Sequence, residues 1–211
     1  MHTDETTQSI RRGGVAGIAA GPLLILSSGL PYVLPVQRHD GHVLMPSMFT
    51  GLVAMGTLGR LGVAATLQAV GSVYRCRAVG RFRLGRAGLR LAMAGSLLQV
   101  LFAVIYGLTG ILRGTPLEAS FLLFATGFLC LISGGVLLGV AVLRAELFSS
   151  AALPLLLGAG SAFVAIAVDM DPWHDIALFV FDATWVAVGA QLVGYTRRSL
   201  PAELPREAPI S

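Results

Sequence analysis

Lysine does not occur in this chain: all fifteen basic residues are arginine, set against eleven acids. Charged residues of both signs reach only 12% of 211, where an ordinary soluble domain carries about 25%. A soluble chain of this length cannot cover its surface with so little charge, so the soluble globular class is excluded. Catalytic signatures are missing too. The chain has no phosphate-cradling glycine loop, no GxSxG, no HExxH and no CxxC, the patterns that mark common hydrolase, nucleotide and zinc chemistry. Its two cysteines, Cys76 and Cys130, fall at the end of one apolar run and the middle of another. A disulfide needs Cα atoms within about 7 Å, which that placement does not provide.

Net charge is +4, but the arginines flank apolar runs and form no soluble basic face, which argues against nucleic acid as a partner. A lysine-free, Ala/Gly/Val/Arg-rich composition points to the GC-rich codon usage of a prokaryote.

What the chain does have is 55% hydrophobic residues, gathered into long blocks. A helix needs about 20 apolar residues to cross roughly 30 Å of hydrocarbon. Six runs qualify: 14–36, 49–74, 91–112, 117–143, 147–168 and 176–195. The first, preceded by Arg11 and Arg12, is too long for a cleavable signal core and is read as a retained span. The expected fold is all-α, a polytopic transmembrane helix bundle of six spans occupying 14–196. A short cytoplasmic segment, 1–13, precedes it, and a flexible Pro-rich cytoplasmic tail, 197–211, follows.

Arginine placement orients the bundle. With the N-terminus inside, twelve arginines fall in cytoplasmic segments and two, Arg38 and Arg113, in outer loops. That asymmetry puts both termini in the cytoplasm and the protein in the cytoplasmic membrane. The stretch "RCRAVGRFRLGRAGLR" contributes Arg75, Arg77, Arg81, Arg83, Arg86 and Arg90, a set expected to meet anionic headgroups, each arginine worth about 1 kcal/mol there.

Close packing is written in small residues. Gly13, Gly17 and Gly21 repeat every four residues in the first run, and Gly135 and Gly139 in the fourth. Such stripes let helix backbones approach in lipid. They predict a tight bundle and leave self-association into a homo-oligomer open.

One cation breaks the apolar pattern. Arg60 stands in "MGTLGRLGVAATLQAVG", roughly 16 Å deep at 1.5 Å per residue counted from Phe49. A lipid-facing arginine at that depth costs about 2.5–3.5 kcal/mol. Its helical face carries Val53, Gly56, Thr57, Ala64, Leu67 and Gly71, mostly small, so Arg60 is expected to point into the bundle and to require a counter-charge. Asp182 in "FVFDATWVAVGAQ" is the acid well inside a run, about 9 Å in from Ile176. The expectation is a buried Arg60–Asp182 ion pair between spans two and six. Gln68, Gln99 and Gln191 are the other polar intramembrane groups, placed by depth toward the cytoplasmic side and expected to make interhelical hydrogen bonds.

Two outer loops, "QRHDGH" and "DMDPWHD", hold His39, His42, Asp171 and His174, imidazoles and a carboxylate that could hold a divalent metal if the loops meet. The spacing is generic, and no cofactor is predicted. Three functional readings follow, in order. The first is a non-enzymatic structural or accessory membrane component. The second is a small transporter or permeation protein using Arg60 and Asp182. The third is an outer-face metal-dependent hydrolase.

Overall fold

The computed structural model describes residues 2–33, 46–77, 83–113, 117, 119–144, 149–168 and 173–199. They form six helices and no strand: α1 (His2–Val33), α2 (Pro46–Arg77), α3 (Arg83–Arg113), α4 (Ser120–Arg144), α5 (Ser149–Ala167) and α6 (Trp173–Ser199). Four of them hold segments long and apolar enough to cross a membrane, Thr50–Tyr74, Arg83–Arg113, Ser120–Arg144 and Trp173–Arg197; the apolar part of α5, Ala151–Ala167, is shorter.

Helix ends lie further out than the apolar runs suggest. α1 starts at His2, so the polar stretch ahead of residue 14 is helical and continuous with the apolar run. Glu5 stands in its first turn, where the exposed N–H groups favour an anion. α3 starts at Arg83, so half of the arginine-rich connector is helix. Hydropathy marks where lipid-compatible residues stop, whereas a helix continues until its backbone bonds find no partner.

Each helix packs on its chain neighbours, and α6 closes back onto α1. The contacts of the glycines show that neighbours run antiparallel. Gly13 abuts Ala65 and Ala69 while Gly56 abuts Ser27; Gly14 meets Gly189 while Gly21 meets Val186; Gly88 meets Gly134 while Gly95 meets Gly127. The result is a closed up-and-down ring. One end collects the start of α1, α3 and α5 and the finish of α2, α4 and α6, and with them Arg11, Arg12, Arg83, Arg86, Arg90, Arg144 and Arg197; Arg113 stands at the opposite end.

The seams are made of backbone on backbone. A methyl group added at Gly95 would lie 2.6 Å from the Gly127 carbonyl, and one added at Gly189 would lie 2.5 Å from the Gly14 carbonyl. On α4, Gly127 and Gly134, seven apart, meet the backbone of α3, while the nearest α5 atoms to Gly135 and Gly139 are the Ala159 and Leu156 side chains. A seven-residue repeat keeps one stripe facing a single antiparallel partner over two turns, which the four-residue stripe does not.

Large apolar side chains point the other way. Leu97, Leu101, Val104, Leu108 and Ile111 on α3, and Leu122, Leu129, Val136 and Leu143 on α4, are exposed on the outside of the bundle. An outer surface of leucine and valine over an interior that is also apolar differs from the polar outside of a water-soluble bundle and suits a hydrocarbon solvent.

Candidate functional site

A cavity of about 160 Å³ opens between α1, α2, α3, α4 and α6, with Arg60, Gln99, Ser27, Ser28 and Asp182 among its lining groups. Arg60 is ten residues into the apolar part of α2 and Asp182 nine into α6, so at 1.5 Å per residue both lie roughly 14–15 Å from the arginine-poor end of the bundle.

Arg60 is half-buried and turns inward. Small neighbours permit this: a methyl group on Gly56, one turn earlier, would sit 2.8 Å from the guanidinium Nη1 and 3.3 Å from the Ser27 hydroxyl. The guanidinium therefore lies along its own helix in the gap that Gly56 leaves. Its Nε donates to Gln99 Oε1 at 3.3 Å, and its carbon stands 5.9 Å from the centre of the Phe102 ring, at the outer limit of a cation–π contact.

Gln99 fixes that position. It is buried at 3% exposure, and its Nε2 donates to the Phe124 carbonyl of α4 at 2.7 Å. Accepting from α2 and donating to α4, it ties three helices together. One turn earlier, the Ser96 hydroxyl donates to the Arg60 carbonyl at 3.3 Å. The α2–α3 seam therefore carries both the charge and its support.

Asp182 lines the same cavity from α6, 6% exposed, where Ser28 is the hydroxyl facing it. Its backbone carbonyl lies 2.8 Å from where a methyl group on Gly21 would be, so close packing of α1 and α6 sets its depth.

Both members of the expected Arg60–Asp182 ion pair line this one cavity, where each acts on the other as an opposite charge. Among the described residues Arg60 and Asp182 make no salt bridge. They share one cavity, and Gln99 and Phe102 hold the guanidinium beside α3. Depth along each helix places the two residues at similar levels but does not say which neighbour Arg60 turns toward.

The glutamines also part company. Gln99 belongs to the Arg60 cavity, at the level of the cation and not below it. Gln68 is exposed and lines a separate groove with Glu5, Gln8, Ser9 and Arg12 of α1. Gln191 is half-buried on α6, nine residues past Asp182.

Phe124, Phe128 and Phe181 line the cavity and belong to a longer row of rings. Phe102, Phe124, Phe128, Phe181 and Trp185 run as a continuous chain of contacts, with centroids 5.1, 5.4, 5.2 and 5.9 Å apart. Neither these rings nor Ser27 and Ser28 stand out in the sequence. The four-residue spacing of Phe124 and Phe128 is visible there, but it is equally the spacing of ordinary core.

Of the four residues expected at an outer metal site, His39, His42 and Asp171 lie outside the described residues. His174 is placed, and its Nδ1 donates to the Ala165 carbonyl of α5 at 2.7 Å. Among the described residues no three His, Cys, Asp or Glu side chains converge. Of the arginine set, Arg83, Arg86 and Arg90 are exposed on successive turns of α3; Arg81 and the side chains of Arg75 and Arg77 are outside the described residues.

No protein-family model, curated protein or solved structure matches this chain.

Proposed function

We propose that this protein is a six-span integral protein of the cytoplasmic membrane, with both termini inside, that binds a small solute in the Arg60–Asp182 cavity. It is a non-enzymatic permeation or solute-binding protein. The observation that carries the reading is a cavity lined by both charges, which make no salt bridge with each other among the described residues. A charge pair that only fixes helix order is best placed in direct contact, because each ion then compensates the other's lost hydration. Here the cation of α2 and the acid of α6 both line a 160 Å³ space, and Gln99, a buried neutral group, holds the cation in place.

Orientation follows from the arginine-rich end of the ring, which the positive-inside rule assigns to the cytoplasm. The exposed face of Arg83, Arg86 and Arg90 then meets anionic headgroups. On this reading a solute reaches the cavity from the outer side, from which Arg60 and Asp182 lie roughly 14–15 Å deep.

Cysteine labelling tests this reading. In a background carrying Cys76→Ala and Cys130→Ala, Val63→Cys places a thiol in the cavity wall and Leu61→Cys places one on the exposed outer surface. A membrane-impermeant thiol reagent added outside cells should label position 63 and not position 61, because a thiol in hydrocarbon does not ionise. Silence at 63 removes the solute-binding reading. Rapid labelling at 61 removes the membrane assignment.

A further inference from the structure

We infer that the ligand of this cavity is a small zwitterion with an apolar side group, of the α-amino-acid type, its carboxylate at Arg60 and its ammonium at Asp182. This rests on the solute-binding reading and names its chemistry.

Size comes first. The cavity of about 160 Å³ is close to the 150 Å³ apolar cavity that admits benzene. It falls well below the 300–1,000 Å³ of sites for larger ligands. The occupant is therefore a molecule of roughly six to ten non-hydrogen atoms.

Charge is the second constraint. The guanidinium has five N–H donors, and Nε is the one bonded to Gln99, so the Nη groups are available to an anion. Asp182, with Ser28 beside it, offers acceptors to the same cavity from α6. The two wall charges sum to zero. A ligand bearing only an anion or only a cation would bring a net charge into a low-dielectric enclosure, which is strongly disfavoured. An uncharged ligand would leave both wall charges poorly compensated. A zwitterion answers both ends and keeps the site neutral.

Shape is the third. The rings of Phe124, Phe128 and Phe181 with Leu24, Val63, Leu131 and Leu178 form the apolar lining, a surface suited to a short aliphatic group carried on the carbon between the two charges. Gln99 is 3% exposed and Asp182 6%, so the polar groups that would meet the ligand are held rigidly by the bundle.

The test uses the Val63→Cys protein in the membrane and asks what slows its labelling. The probes are L-valine, isobutylamine, 3-methylbutanoate and the uncharged isobutyramide, which share nearly the same aliphatic body and differ in their charges. Saturating valine should slow labelling by about tenfold, with each one-ended or neutral analogue at the same concentration changing it by less than about twofold. Asp182→Asn and Arg60→Gln, each in the same background, should each abolish protection by valine while position 63 still labels. Equal protection by any one analogue, or labelling that valine leaves untouched, overturns the zwitterion assignment and leaves the aqueous cavity standing. Absence of labelling at 63 overturns the underlying reading instead.

Discussion

Replacing Gly134 by alanine adds one methyl group, and the structure says what that methyl would strike. Its carbon would lie 2.7 Å from the Gly88 carbonyl oxygen and 2.8 Å from the Ala92 Cα, and closer still to the Ala92 nitrogen. Carbon prefers such neighbours at about 3.5–4.0 Å, so α3 and α4 must separate locally by about 1 Å. The obstacle is backbone, which cannot rotate away as a side chain does. Overpacking of this kind costs about 1–3 kcal/mol, and close Cα–H···O contacts along the seam, worth about 0.5–1 kcal/mol each, are lost with it. The expected destabilisation is about 2–3 kcal/mol, a fall of roughly 4–12 °C in Tm for a chain of this size. Gly160→Ala is the matched control, since nothing lies within 4 Å of its added methyl; it should change stability by less than about 0.5 kcal/mol. Thermal unfolding of purified protein in one detergent reads both. Gly95→Ala opposes Gly127 in the same seam, so the Gly95→Ala, Gly134→Ala double variant should lose less than the sum, because one separation relieves both clashes. A Gly134→Ala protein as stable as the parent would refute the close seam.

Other substitutions probe the cavity. Gly56→Ala presses on the Arg60 guanidinium tip, not on backbone, so it should cost under about 1 kcal/mol by thermal unfolding; a loss as large as that of Gly134→Ala would show that Arg60 is fixed more tightly than its bond to Gln99 implies. Gln99→Leu removes the acceptor for Arg60 and the donor to the Phe124 carbonyl, and should destabilise by about 1–3 kcal/mol in the same assay; an unchanged Tm would show that neither bond contributes. Arg60→Met and Asp182→Asn each leave the cavity with a net charge, while the pair restores neutrality, so a double-mutant cycle should return a favourable coupling of about 0.5–3 kcal/mol. Strict additivity would show that the two charges do not sense each other. A reporter fused after residue 199, active only in the cytoplasm, should be active; activity of a periplasm-dependent reporter there would reverse the orientation.

Several of these features are legible in the amino-acid sequence. Arg60 announces itself as a cation among small residues, and its inward turn follows from the cost of facing lipid. Asp182 stands out for the same reason. The role of Gln99 is not legible: three glutamines occur in the apolar runs, and only one meets Arg60, because only α3 packs beside α2 at that level. Gly135 and Gly139 show the familiar four-residue spacing, yet Gly127 and Gly134 are the pair that meets the backbone of α3. Aromatic residues give no signal at all, since Phe124 and Phe128 look the same whether they fill a core or line a cavity.

The order of residues along the chain is enough to determine the helical class, the approximate position of each apolar segment and the uneven distribution of arginine, because hydropathy and charge are settled between each residue and its solvent. Tertiary structure alone decides which helices adjoin, that the ring closes through α1 and α6, and that Arg60 rests on Gln99 in a cavity it shares with Asp182. Partnership in a bundle depends on lateral order and on rotation about each helix axis, and both emerge from the packing of all six helices together rather than from any one of them.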